Sequence, residues 1–445
     1  MKKFYLLFLL IIGLSSVSMA QTTIPIYSNV LFYDGYAGLV SAPTPAGVVR
    51  LRNDLFTRKM TASELAQIGS TLSINVSISA ACDNYDRIGN VNLALVPKGA
   101  TSYDLATTHR LELGRYITPF MNKNVAPNLV PYTFNVDNVA KILKDPSLNA
   151  LYDFWVEFEL FGVPYAAQTQ IAGCSGRNDV FFGTVNFITS GVLLNEDNVS
   201  LLPLNFKKDL NNYQAGATDV IGQTVRTVNF TLPSTISNSK FYLITSNHGA
   251  NNGGEEYNRR QHYIYLDSNQ ILTYIPGELT CEPYRVYNTQ GNGIYGPSPR
   301  SNAVWQSFSN WCPGAVIPTR TVNLGNLAAG SHSFKISVPT AVFVDGQGYI
   351  PVSVYLQGDG ATLGVVGHDV VSYDIFPNPT KEVVNINCNN TIKTLQLFDA
   401  QGRLIDSKVV NDLNSKIDIS NNSKGIYFLK IETENGVFSE KIIKE

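Results

Sequence analysis

In Asp153-Phe154-Trp155-Val156-Glu157-Phe158-Glu159-Leu160, aromatic or aliphatic side chains fall on every second residue from Phe154. A β pleat sends Phe154, Val156, Phe158 and Leu160 to one face and Trp155, Glu157 and Glu159 to the other. The first face is a core face. On the second, two carboxylates sit roughly 7 Å apart, twice the rise of a strand. They repel, and burial would raise the pKa of at least one, as a general acid requires. Taken alone, this second face is expected to meet solvent.

The same period of two recurs at Val91, Leu93 and Leu95, at Val228, Phe230 and Leu232, and at Phe334, Ile336 and Val338. Turn-forming clusters such as Gly291-Asn292-Gly293 interrupt it. Only residues 62–68 and 136–143 carry a helical pattern. With 23 Tyr and 22 Phe the composition favours sheet, and 445 residues exceed one hydrophobic core. The expectation is an all-β chain of sandwiches or jelly rolls. Boundaries are expected near 191–197 and 358–368, giving domains 21–192, 193–368 and 369–445.

Residues 1–20 read as a signal peptide: Lys2 and Lys3, an apolar run, then Ser18-Met19-Ala20. No later run is apolar for long enough to span a membrane. A net charge of −2 without a basic block excludes a nucleic-acid partner. In an oxidising compartment Cys281 and Cys312 can pair across a Gly/Pro/Asn-rich loop, with Cys82 and Cys174 the next candidates.

Three clusters carry ionisable groups. Ala81-Cys82-Asp83-Asn84-Tyr85-Asp86-Arg87-Ile88 opens a strand, Glu157 and Glu159 share a strand face, and His248, Glu256 and His262 lie in a Gly-rich segment. A zinc site would use the last three, but two His one turn apart with a Glu between them are absent, as is a Met-containing copper set. No metal and no cofactor is expected. Carboxylates without a nucleophile elbow point to hydrolysis by acid and base groups.

Cys82-Asp83-Asn84-Tyr85-Asp86-Arg87, Gly114-Arg115-Tyr116-Ile117-Thr118-Pro119-Phe120 and Ser309-Asn310-Trp311-Cys312-Pro313-Gly314-Ala315-Val316-Ile317-Pro318-Thr319-Arg320 resemble motifs of the bacterial peptide-N-glycosidase F family. The resemblance runs, with gaps, from 73 to 336. It implies two adjacent eight-stranded antiparallel jelly rolls with a site between them. The implied activity is a secreted, monomeric amidase that cleaves N-linked glycans from the asparagine of glycoproteins or glycopeptides, leaving aspartate. On this resemblance Asp86, Glu256 and Glu157 are the catalytic carboxylates, Asp86 activating water, Glu256 assisting at the amide and Glu157 ordering the site. Arg87, Trp311, Tyr85, Glu159 and His248 are the implied substrate-binding residues. Where the family's type member has a cysteine pair, this chain has Gly254 and Asn258, and Phe308 replaces an arginine. Tyr85 and Glu159 each replace a tryptophan.

The segments Tyr373-Asp374-Ile375-Phe376-Pro377-Asn378-Pro379-Thr380, Leu395-Gln396-Leu397-Phe398-Asp399-Ala400-Gln401-Gly402-Arg403 and Gly425-Ile426-Tyr427-Phe428-Leu429-Lys430-Ile431 resemble the small β-sandwich sorting domain of type IX secretion cargo in Bacteroidetes. This implies a second partner, the type IX secretion machinery, and a secreted or cell-surface location. The rival reading is a carbohydrate-binding or adhesin double jelly roll without turnover, which keeps Trp311 but needs no convergent carboxylates.

Overall fold

The computed structural model describes residues 21–192, 198–211, 217–220, 222–250, 254–343, 347–360, 373–434 and 436–445. The signal peptide read at 1–20 lies outside the described residues, as do most of the two expected boundaries (193–197 and 361–368).

The first sandwich comprises β1 (Thr22–Tyr33), β2 (Val48–Arg52), β3 (Leu55–Lys59), β4 (Thr71–Ala80), β5 (Ile88–Pro97), β6 (His109–Ile117), β7 (Leu129–Asn135), β8 (Tyr152–Leu160) and β9 (Asp179–Ser190). One sheet has the order β1-β9-β4-β7 and the other β6-β5-β8-β3-β2, so β2 is an extra edge strand beyond the eight of a jelly roll. The second contains β10 (Val199–Leu210), β11 (Val225–Leu232), β12 (Ile236–Thr245), β13 (His262–Leu266) and β14 (Asn269–Tyr274). It continues with β15 (Val316–Ile317), β16 (Arg320–Leu327), β17 (Gly330–Ser337) and β18 (Ile350–Asp359). Its two sheets run β10-β18-β12-β16 and β11-β17-β13-β14. The result is a double jelly roll. A third unit, β19 (Tyr373–Phe376), β20 (Val383–Asp399), β21 (Leu404–Asp418), β22 (Gly425–Thr433) and β23 (Gly436–Lys444), forms one five-stranded sheet around its own core.

Helices sit where the pattern placed them. α1 (Ala62–Gln67) starts with a capping box between Thr61 and Glu64. α2 (Asp137–Lys144) buries Val139, Ala140, Ile142 and Leu143 and turns Lys141 outward. Three further short helices, α3 (Pro146–Leu151), α4 (Ala167–Gln170) and α5 (Asn302–Phe308), lie outside the segments with a helical pattern.

The second face of β8 does not meet solvent. The strand is central, paired with β5 and β3, and Glu157 is 0% exposed. Tyr103 packs on Trp155 and donates its hydroxyl to Glu157 at 2.8 Å. Lys207 of the second domain covers Glu159 at 2.6 Å.

The two sandwiches are joined by a buried polar seam. In β6 a bulge opposite Val91 and Asn92 inserts Leu113, which brings Glu112 and Arg115 to the same face although they are three residues apart. Arg115, 0% exposed, donates to Glu112 at 2.8 and 2.7 Å, to Ser246 Oγ at 2.7 Å and to the Pro351 carbonyl at 2.9 Å. Glu112 accepts in addition from Asn90 and Ser353. β15 of the second domain extends the first domain's sheet by pairing with Arg115 and Tyr116.

Removing one member of such a buried pair strands the other charge. Arg115→Met or Glu112→Leu alone is expected to lower the unfolding free energy by about 3–5 kcal/mol, measured by urea denaturation of the full chain. The double variant should cost clearly less than the two losses added together.

Candidate active site

Asp86 lies in the corner that feeds β5. The corner is held from both sides: Cys82 is disulfide-bonded to Cys174, and Asp83, fully buried, accepts from Arg87 Nε at 2.7 Å, Val163 N at 2.7 Å and Tyr85 N at 2.9 Å. Thr118 donates its amide to the Arg87 carbonyl at 2.8 Å and its hydroxyl to the Tyr85 carbonyl at 3.1 Å. Asp83 therefore spends its charge on the loop, while Oδ2 of Asp86 is buried and has no hydrogen-bond partner.

Glu256 comes from the second domain. Its carboxylate accepts the Gly249 amide at 3.1 Å and the Tyr257 hydroxyl. The preceding Glu255 is a different kind of group. It is fully buried, paired with Arg260 at 2.7 Å and bonded to Val342 N at 2.9 Å.

The 310–315 loop joins the two corners. The Asn310 side-chain amide donates to the carbonyls of Glu255, Glu256 and Asn258, and the Trp311 indole donates to the Asn247 carbonyl at 2.8 Å. Beyond it, Gly314 N reaches the Ile117 carbonyl and Ile117 N the Ala315 carbonyl, each at 3.0 Å. The Cys281–Cys312 disulfide anchors the loop from behind. At the two positions where the family's type member has cysteines, Asn258 Nδ2 donates to the Gly254 carbonyl at 2.7 Å, so a hydrogen bond bridges the same residues.

The result is a carboxylate from each domain, each within electrostatic reach of the other. Burial, and then the nearby Glu256 charge, push the Asp86 carboxyl up to about 8. Burial also raises Glu256, although Tyr257 and the Gly249 amide favour its ionised form. The Tyr257 phenol is raised by burial and by both carboxylates, and so keeps its proton.

The remaining sequence candidates are distributed as follows. Arg87 lies over the Tyr85 ring at 5.4 Å, and Tyr85 meets Phe120 edge-on at 6.0 Å. Trp311 is 7% exposed and lies against Ile117, Ile244 and Ile317 between the domains. His248, 4% exposed, packs beneath Trp311 and Tyr349 at ring distances of 5.8 and 5.3 Å. Burial, then Arg115, hold it neutral. Ser246 Oγ accepts from Arg115 and is hydrogen-bonded to His248 Nε2 at 2.6 Å. Glu157 lies further along the seam, bonded to Tyr103, Asn92 and Arg110. Glu159 pairs with Arg52 and Lys207. Phe308, in α5, packs on Tyr257 at 6.0 Å. His262 stacks on Tyr274, apart from His248. Among the described residues, no group of three or more His, Cys, Asp or Glu could hold a metal ion. Asn310, Tyr257 and Tyr349 were not selected from sequence. Asn310 had a signal, a side-chain amide inside a Gly/Pro loop that must be anchored, but Tyr257 and Tyr349 had none.

Comparison with known proteins shows the family and the fold. Residues 23–175 match the family model "Peptide-N-glycosidase F, N terminal", and residues 217–357 match "Peptide-N-glycosidase F, C terminal". The chain belongs to the peptide-N-glycosidase F family. It is 23% identical over 287 residues to peptide-N(4)-(N-acetyl-beta-D-glucosaminyl)asparagine amidase F of Elizabethkingia miricola, a match over 62% of this chain and 69% of that one. The crystal structure of PNGF-II in space group P21 superposes with a TM-score of 0.56 at 19% identity, and its C2 form with 0.53 at 18%. Each match covers 76% of this chain, which spans only 65% of PNGF-II. These likenesses show the fold. Residues 374–445 match the secretion system C-terminal sorting domain, which indicates type IX secretion to the cell surface or the extracellular space. No helix among the described residues is long and apolar enough to cross a membrane.

Asp86 titrates higher in the folded chain than an unfolded aspartate, near 3.9. The folded state therefore binds the extra proton between these values, and stability falls as pH rises from about 4 to about 8. Thermal unfolding across that range should show this fall in the wild type and a shallower one in Asp86→Asn.

Proposed function

We propose that the protein is a secreted amidase that hydrolyses the bond between an N-linked glycan and its asparagine. The observation that carries this reading is that Asp86 and Glu256, from different jelly rolls, come within electrostatic reach of each other, burial and then the Glu256 charge raising Asp86 to about 8. A base with that pKa is strong enough to deprotonate water as it attacks an amide, and it is available near neutral pH.

Water adds to the side-chain carbonyl of the glycosylated asparagine, and its proton passes to Asp86. The carbonyl oxygen needs a donor as charge builds on it. The Arg87 fork, whose Nη1 lies outside the pair with Asp83, is the donor at hand. Collapse breaks the bond from carbon to nitrogen as the proton held by Asp86 passes to that nitrogen, giving aspartate and a glycosylamine and restoring the Asp86 carboxylate. Glu256 acts through Asp86 by raising its basicity and orienting Tyr257, a narrower role than assisting at the amide directly. Glu157, buried among Arg110, Tyr103 and Asn92, orders the seam behind the pocket. Trp311 and His248 shape the floor, and Trp311 fixes the 310–315 loop through its indole. N-glycosylated proteins or glycopeptides are the substrates, and the sorting domain engages the type IX machinery.

Mass spectrometry of a defined N-glycopeptide incubated with the protein tests this. The expected result is conversion of asparagine to aspartate with release of the intact glycan, and a loss of about 10²–10⁴ in rate for Asp86→Asn. Retention of glycopeptide without conversion would instead identify a carbohydrate-binding double jelly roll.

A further inference from the structure

Of the exposed large hydrophobic side chains, two tyrosines are the most open to solvent, Tyr36 at 80% and Tyr165 at 84%. Tyr36 is the one tied to the pocket. It sits in a turn after β1, where Asp34 accepts its amide at 3.0 Å, and the Gly35 amide donates to the Gly162 carbonyl at 2.9 Å. The turn fits closely on Phe161, because a Cβ on Gly35 would stand 2.6 Å from that ring. Tyr36 meets the Phe161 ring edge-on at 5.3 Å, and the Arg87 guanidinium lies 5.8 Å from the same ring. From the opposite side, the Tyr36 hydroxyl lies within electrostatic reach of Tyr349, which also feels Glu256. Tyr36 thus stands at the lip of the cleft, above residues of both domains.

We propose that Tyr36, braced by Phe161 and flanked by Arg87, is a sugar-binding lip that stacks on a pyranose of the glycan beyond the chitobiose joined to asparagine. The inference rests on the amidase reading and names a subsite for it. An exposed, braced ring gains little for folding. It offers a flat apolar face to the C–H patch of a sugar.

The test titrates the full-chain Asp86→Asn protein, which binds without turnover, by calorimetry. Three probes are used: a free N-glycan oligosaccharide of defined composition, chitobiose, and the unglycosylated peptide. Adding Tyr36→Ala should weaken free-glycan binding about tenfold and leave chitobiose unchanged. Tyr36→Phe should restore the affinity, and an exposed residue does not endanger folding. Glycan affinity that does not change in Tyr36→Ala overturns the lip while the amidase reading stands on wild-type turnover. An effect confined to the peptide probe overturns it in favour of a peptide contact. If the wild type neither binds nor releases glycan, the amidase reading fails and the lip with it.

Discussion

The placement of every other group near the pocket depends on the Glu112–Arg115 pair. It is fully buried, it belongs to the first sandwich, and three of its bonds end on the second, at Ser246, Pro351 and Ser353. Buried charge is costly unless each donor and acceptor is matched. The matching partners here come from both domains, so the low-energy arrangement of the pair is also one particular placement of the two sandwiches. Ser246 passes this constraint to His248, which packs under Trp311, while β15 and Ile117 fix the neighbouring backbone. Asp86 and Glu256 meet because the seam beneath them leaves no other register.

Above the seam, stiffness comes from the 310–315 loop. One side-chain amide, Asn310, gathers three carbonyls of the Glu256 segment, and the Asn258–Gly254 hydrogen bond spans the positions where the family's type member has cysteines. A hydrogen bond contributes about 1 kcal/mol net, less than a typical disulfide. The Glu256 segment is therefore held by many weak bonds rather than one covalent staple. The covalent restraint lies one layer back, at Cys281–Cys312 and Cys82–Cys174.

Much of this was legible in the sequence, for a physical reason. Strand alternation reports directly which side chains face a core, and so Phe154, Val156, Phe158 and Leu160 declared the sheet. Export made a disulfide between Cys281 and Cys312 readable, and the motif around Asp86 named one wall of the pocket. What escaped were features set by pairing across long separations. Taken alone, the face that carries Glu157 is expected to meet solvent, because nothing local shows that Tyr103 and Arg110 fold over it. Glu112 and Arg115 belong on opposite faces of a regular strand, and only the bulge at Leu113 turns them to one side. Tyr36 follows an Asp-Gly turn like many others, and its position over the pocket depends on Phe161, 125 residues away.

The central claim is that Glu256 makes Asp86 a stronger base. The measurement that tests it most directly is the pH dependence of kcat/KM on a defined N-glycopeptide, for the wild type and Glu256→Gln. The account predicts a wild-type rate that rises as pH increases through about 8, where Asp86 ionises. In the variant the rise should move down by roughly one unit or more, because the neighbouring charge is gone. A wild-type rate that falls through that range, or a rise at the same pH in both proteins, would contradict it.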